Sequence, residues 1–166
     1  MKAPLWAGVL PFPPSANAHW LNAVRKTKAG RHFTARRLSP QAVAFRAEVA
    51  AVVRKGHRAP SRLEGRLSLV VLAQPPDRRR RDLDNLAKEV CDALVLAGVL
   101  RDDYQFDEVR IVRGSVVAGG LAHVRIDRFD PRAAENLAES FGVAENGFLA
   151  TPTGTLGAFD EAEGRN

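Results

Sequence analysis

The chain has 166 residues with a formal net charge of +6, 45% hydrophobic and 27% charged side chains, and one cysteine. That length fits one domain with enough buried surface to hold a core without disulfides. Cys91 has no internal partner, and no apolar run approaches the ~20 residues of a membrane span, so a reducing, cytoplasmic setting is expected.

Leu5 to Leu10 is short, apolar and closed by proline, and predicts an opening strand. Prolines 4, 11, 13 and 14 interrupt the N-terminal apolar stretch, which argues against a signal peptide. Residues 19–37 show no clear period. They interleave Arg25, Lys26, Lys28, Arg31, Arg36 and Arg37 with Trp20, His32 and Phe33, and are expected to form a mobile basic loop. Ser39-Pro40 marks a helix start, with serine as N-cap and proline at the first helical position. Ala42, Val43, Phe45, Val49, Ala50, Val52 and Val53 give that helix its apolar face through about Lys55, and Gly56 is its stop. Residues 66–73 (RLSLVVLA) read as a strand.

A second helix follows, carrying Leu83, Leu86, Ala87, Val90, Leu94 and Ala97 at three- and four-residue steps and ending at Gly98. VLRDDYQF is expected to be a loop. Residues 107–117 and 121–127 read as strands of a hairpin turned at Gly119-Gly120. Asp130-Pro131 caps a third helix with Ala134, Leu137 and Phe141, and a loose tail follows from Gly142. The order predicts a small single α/β (α+β) domain over residues 1–130, a mixed sheet flanked by helices, with residues 131–166 as a C-terminal helix and tail. Residues 1–130 carry +10 and residues 131–166 carry −4. A basic body suggests a polyanionic partner, most simply nucleic acid.

Between the second strand and second helix lies DRRRRDLDNLAKEVCD, residues 77–92. Asp82 and Asp84 suit the first turn of a helix, where negative charge meets the positive end of the dipole, and that role alone would explain them. Asp102-Asp103 follows the same helix. If the next strand returns along the sheet, Asp103 approaches Asp82 and Asp84. Three converging carboxylates repel, and a hard divalent cation, Mg²⁺ or Mn²⁺, relieves them. The four histidines are scattered without cysteine partners, against zinc. Lys88 lies four residues after Asp84 on one helical face. It is either an exposed ion pair or a cation placed near a phosphate. Asn85 either binds a carboxylate or phosphate or helps cap the helix. Arg78, Arg79, Arg80 and Arg81 suit phosphates, which they can clamp bidentately. Arginines and metal together are expected to keep the three aspartates ionised at neutral pH.

The stretches PPDRRRRDLDNLAKEVCDAL, LRDDYQFDEV and LPFPPSAN resemble the RusA family of Holliday-junction resolvases of bacteria and their phages, over roughly residues 5–127. The resemblance implies metal-binding aspartates at Asp82, Asp84 and Asp103 and a catalytic lysine at Lys88. It sets Asp102 before the third aspartate and a family asparagine at Asn17. It further implies a homodimeric, Mg²⁺-dependent endonuclease, with Mn²⁺ a possible substitute, that nicks two opposing strands of a four-way junction. The products would carry 5′-phosphate and 3′-hydroxyl, in recombination and repair at the nucleoid of a bacterial or phage-infected cell. Arg25, Lys26, Lys28 and Arg31, with Arg78 to Arg81, would grip the junction arms. Two other readings stay open: a non-catalytic module for structured DNA, and a broader nuclease for flaps or other branched nucleic acids.

Overall fold

A computed structural model describes residues 3–14, 20–56 and 62–141. The chain divides into two units, Met1–Phe129 and Asp130–Asn166.

The first unit is built on a four-stranded sheet. Its strands are β1 (Trp6–Pro11), β4 (Leu67–Gln74), β5 (Phe106–Arg113) and β6 (Leu121–Arg128), in spatial order β1-β6-β4-β5. β4 runs antiparallel to β6 and parallel to β5, so the sheet is mixed. Alternation sets its two faces. Leu67, Leu69, Val71 and Ala73 of β4 and Ala122, Val124 and Ile126 of β6 are buried on one face. This period of two is what a half-buried pleat demands. Val9, Leu72, Val109 and Val112 remain exposed.

Two helices supply the core's second layer: α1 (Pro40–Lys55) and α2 (Leu83–Leu96). Ser39 Oγ accepts a hydrogen bond from Ala42 N–H at 3.1 Å, and Pro40 opens the helix, which is the start the sequence predicts. Ala42, Phe45, Val49 and Val53 are buried, whereas Val43, expected on that face, is 53% exposed. Position 43 lies about a quarter-turn from 42 and falls on the solvent side of the 3.6-residue repeat. In α2, Leu86, Val90, Ala93 and Leu94 form the buried stripe. Gly98, at φ 80°, turns the chain where a side chain would strain it. Val99 and Leu100 then re-enter the core.

Two expectations need correction. Residues 19–37 are not a mobile loop throughout. Trp20–Lys26 (β2) and His32–Leu38 (β3) pair antiparallel as a separate two-stranded sheet. No sequence period marks this hairpin because neither face is buried in the core: Leu21, Val24, Lys26 and Arg37 are all exposed. Nor do β5 and β6 form a hairpin. β4 lies between them, and the connection crosses over its end. Gly119 and Gly120 do form a tight turn, with φ of 80° and 67°, but it does not join neighbours. The stretch VLRDDYQF holds a short 3-10 turn at Asp103–Gln105 rather than a plain loop.

In the second unit, α3 (Pro131–Ser140) is capped by Asp130, whose side chain accepts from Arg132 N–H. None of its residues is buried, and Leu137 and Phe141 are exposed. The expected loose tail, residues 142–166, lies outside the described residues, as does Asn17.

Candidate nuclease site

The connection from β4 to α2 is short and crowded with arginines, and one carboxylate organises it. Asp77 Oδ1 accepts hydrogen bonds from Arg79 N–H (2.9 Å) and from Arg81 Nη1 (2.7 Å). The Arg81 bond, followed by that from Arg79, holds the Asp77 carboxyl down at about 2. Arg81 is drawn inward: its side chain is 17% exposed and its guanidinium lies 5.5 Å from the centroid of the Phe12 ring. Arg113 donates to the Arg81 carbonyl. Of the four consecutive arginines, Arg78, Arg79 and Arg80 face solvent, while Arg81 braces the turn. Asp77, Phe12 and Arg113 carried no signal as site residues. Their roles depend on contacts between segments far apart in sequence, except for the four-residue step from Asp77 to Arg81.

Asp82 is the N-cap residue of α2, yet its side chain makes no capping hydrogen bond. Asp84 sits in the first turn, also exposed. Neither carboxylate has a hydrogen-bond or ion-pair partner among the described residues. A carboxylate that capped its helix would be engaged by backbone N–H groups; these two are not. Lys88 follows one turn later, exposed, and makes no ion pair with Asp84. Asn85 is half-buried beside them.

Asp103 stands elsewhere. β5 begins at Phe106 opposite Leu67, the first residue of β4, whereas α2 begins after the last. α2 spans 14 residues, about 21 Å at 1.5 Å per residue, and Asp103 follows its far end. The strand therefore starts at the end of the sheet remote from Asp82. The charges acting on Asp103 are Asp102, Asp92 and Lys88. The adjoining Asp102, hydrogen-bonded to it, raises the Asp103 carboxyl and is itself lowered. No arginine is among the charges that act on Asp103. Asp92, two turns after Asp84 on the same helical face, is a neighbour that sequence reasoning did not single out.

The Asp102–Asp103 turn is clamped by Gln105, which is 5% exposed. Its Oε1 accepts from the N–H groups of Arg101 (2.9 Å) and Asp102 (3.2 Å). Its Nε2 donates to the carbonyls of Leu63 (3.0 Å) and Gly65 (3.2 Å). All four bonding directions of the amide are used. Cys91, buried behind this region, has its thiol pushed up to about 12 by burial and by Asp103, which leaves it inert at neutral pH.

Among the described residues, no three acidic, histidine or cysteine side chains gather closely enough to hold a metal ion. The donor chemistry nonetheless fits a hard cation. Mg²⁺ takes one or two protein carboxylates and fills its remaining positions with water and substrate phosphate. Asp82 and Asp84 offer two unengaged carboxylates two residues apart.

Of the basic residues expected to meet DNA, Lys26, Lys28 and Arg31 are exposed at the turn of the β2–β3 hairpin. Arg25 pairs across the hairpin with Phe33.

Fold and site thus define a small α+β domain that presents unpaired carboxylates directly after exposed arginines. The profile of the family described as Endodeoxyribonuclease RusA matches residues 11–127. A crossover junction endodeoxyribonuclease of Enterobacteria phage HK97 is 34% identical over 122 residues, covering 74% of this chain and 93% of that protein. Proteins of the same name from Enterobacteria phage 82 and Escherichia coli K12 are each 36% identical over 117 residues, covering 70% of this chain and 89% of theirs. The chain belongs to the RusA endodeoxyribonuclease family.

Proposed function

We propose that this protein is a divalent-metal-dependent endonuclease, with Mg²⁺ as its cation, that resolves four-way DNA junctions by paired, symmetric nicks. The observation that carries the reading is the pair Asp82 and Asp84. They open a helix without capping it and follow three solvent-facing arginines. Relatives named crossover junction endodeoxyribonucleases support branched DNA as the substrate. No helix among the described residues is long and apolar enough to cross a membrane.

Asp82 and Asp84 would hold the cation; Asp103, the third aspartate of the family pattern, lies beside Lys88 and Asp92 and would have to move to join them. When bound, the cation supplies Lewis-acid polarisation of the phosphoryl group. Arg78, Arg79 and Arg80 clamp the flanking phosphates and fix the strand's register. Water attacks the phosphorus and the bond to the 3′-oxygen breaks, leaving a 5′-phosphate and a 3′-hydroxyl. Lys88 stabilises the negative charge that grows on the phosphoryl oxygens in that step. Asp102 caps the turn that carries Asp103. The hairpin cations Lys26, Lys28 and Arg31 hold a junction arm by charge. A homodimer suits the task, because paired cuts on a two-fold junction call for a two-fold protein. Recombination and repair supply such junctions.

The test is a nicking assay on a labelled four-way junction, a matched duplex and a flap, each with Mg²⁺ and with EDTA. Symmetric, Mg²⁺-dependent nicks in the junction alone are expected. Asp84→Asn should bind the junction with unchanged affinity and cut at least a hundred-fold more slowly, the order of loss when one charge-handling group leaves a reaction centre. Tight binding without cutting under any divalent metal would make the protein a binding module, and equal cutting of all three substrates a general nuclease.

A further inference from the structure

At the end of β4, beside the start of α2, lies a cavity of about 230 Å³. Three connections build it, and each is pinned. Gly114 N–H donates to the Ala73 carbonyl (2.8 Å) and Val117 N–H to that of Pro75 (3.0 Å), tying the β5–β6 connection across the end of β4. Gly120 lies so close to Phe12 and Pro76 that a Cβ there would stand 2.8 and 2.7 Å from their side chains. Phe12 is thereby seated against neighbouring backbone. The Asp77–Arg81 pair braces the third connection. The cavity is formed before any ligand arrives.

Its chemistry is divided. Phe12, Leu83, Leu86 and Val116 make an apolar interior, and Arg78, Arg79 and Arg113 stand at its lining as cations. The one acid among the lining residues, Asp77, is engaged by Arg81 at 2.7 Å and more loosely by Arg79 at 3.8 Å, so the positive charge outweighs it. A free phosphate would use the arginines and gain nothing from the apolar wall. A purely apolar group would make no use of Arg78 or of the donors that Arg79 and Arg113 keep beyond their bonds to Asp77 and the Arg81 carbonyl. A flat heteroaromatic ring joined to a phosphate satisfies both, since bases stack on aromatic and guanidinium faces and arginine clamps phosphate. Drug-sized ligands occupy roughly 300–1,000 Å³, so this smaller cavity suits a single base.

We propose that the cavity receives one unstacked nucleotide from the branch point of the DNA, its base against Phe12 and the Arg81 guanidinium and its phosphate at Arg78, Arg79 and Arg113. This rests on branched DNA being the substrate. Extruding a base costs least where pairing and stacking are already interrupted, so a branch point can fill the cavity far more readily than a continuous duplex arm. Leu83 and Leu86 belong to the helical turn that carries Asp82 and Asp84. A nucleotide seated on them sets the backbone at a fixed step from the carboxylates. The cavity therefore serves both to select a branch and to index the cut.

The full chain is irradiated in EDTA with junctions carrying a single 5-iododeoxyuridine, either at the branch point or five base pairs into an arm. Crosslinks are mapped by mass spectrometry. The branch-point probe should crosslink to the peptides holding Phe12 or residues 113–116, with at least ten-fold lower yield from the arm. Val116→Trp plugs the cavity from a residue 47% exposed, and should cut that yield about ten-fold and weaken junction binding by the same roughly ten-fold that one base–aromatic stack supplies. An abasic sugar at the branch point should weaken binding roughly ten-fold, as loss of one base–aromatic stack does. Crosslinks mapping elsewhere, or equal yields from arm and branch, would overturn the proposal. So would an abasic junction bound as tightly as the intact one. Cutting is read separately in Mg²⁺. A junction that is cut but crosslinks elsewhere removes the cavity and leaves the endonuclease standing; a cavity crosslink without cutting does the reverse.

Discussion

Asp82 occupies a position where an aspartate ordinarily serves as a cap, and it does not cap. Stability and activity should therefore separate there. A capping side chain contributes about 0.5–2 kcal/mol. Asp82→Ala is expected to change urea-unfolding stability by less than about 0.5 kcal/mol, as an uncommitted surface residue would, and to slow nicking at least a hundred-fold. A drop of about 2 kcal/mol, the full value of a cap, with normal nicking would make the carboxylate structural. Gln105 is the opposite case. It touches no reacting group, but its four hydrogen bonds hold the Asp102–Asp103 turn to the backbone at Leu63 and Gly65. Each such bond contributes about 1 kcal/mol net. Gln105→Ala should cost about 2–4 kcal/mol in urea unfolding, and hydrogen exchange should quicken at residues 101–105. Both aspartates and the glutamine are visible in the sequence as residue types. Which of them is idle and which is fully bonded depends on partners up to 42 residues away.

The β2–β3 hairpin and the 77–81 connection carry their own tests at the scale of elements. The hairpin is a sheet of its own, outside the four-stranded one. Replacing residues 21–37 by a short Gly-Ser linker should leave the unfolding transition of the main sheet in place. Junction affinity should fall, and its dependence on log[salt] should flatten by about 0.9 for each phosphate the hairpin neutralises in the intact protein. A slope unchanged on deletion would put the DNA on another face. In the 77–81 connection, Asp77 is lowered from 3.8 to about 2 by Arg81 and by the Arg79 N–H. A lowered carboxyl favours the folded, ionised form, so its contribution is present above pH 3.8 and disappears as pH falls toward 2. Asp77→Asn should melt below the wild type at pH 5 to 7, and the two melting curves should converge near pH 2. The Asp77 carboxylate is open to solvent, so the difference is small and its pH dependence is the readout.

Charge acts on the whole molecule. The +10 of residues 1–130 is densest where the arginine run meets α2. Replacing Arg79 and Arg80 together by alanine should weaken junction binding and lower the salt slope by about two, since each arginine releases about one counterion. Arg81→Ala should instead loosen the 77–81 connection, because that guanidinium bonds Asp77 and covers Phe12 rather than facing solvent. Light scattering at working concentration should give twice the monomer mass, and a monomer alone would remove the dimeric reading.

Some of this molecule could be read from local pattern. The stripe of Leu86, Val90 and Leu94 requires a helix with one buried face, Ser39-Pro40 its predecessor's start, and Leu67 to Ala73 a buried strand. Each is specified by residues within a turn or two of one another. The juxtaposition of arginines with Asp82 and Asp84 was legible for the same reason. Pairing was not. Gly119-Gly120 looks the same whether the strands it joins are neighbours or have β4 between them, because strand order depends on which surfaces bury most apolar area across the whole sheet. The β2–β3 hairpin left no alternation, since neither of its faces is in the core. Tertiary structure alone decided that Asp103 stands with Lys88 and Asp92 rather than beside Asp82, because β5 runs parallel to β4 and must start at the sheet's other end. It alone brought Phe12, Leu83 and Val116 around one cavity, since three connections from distant parts of the chain meet only at the end of β4.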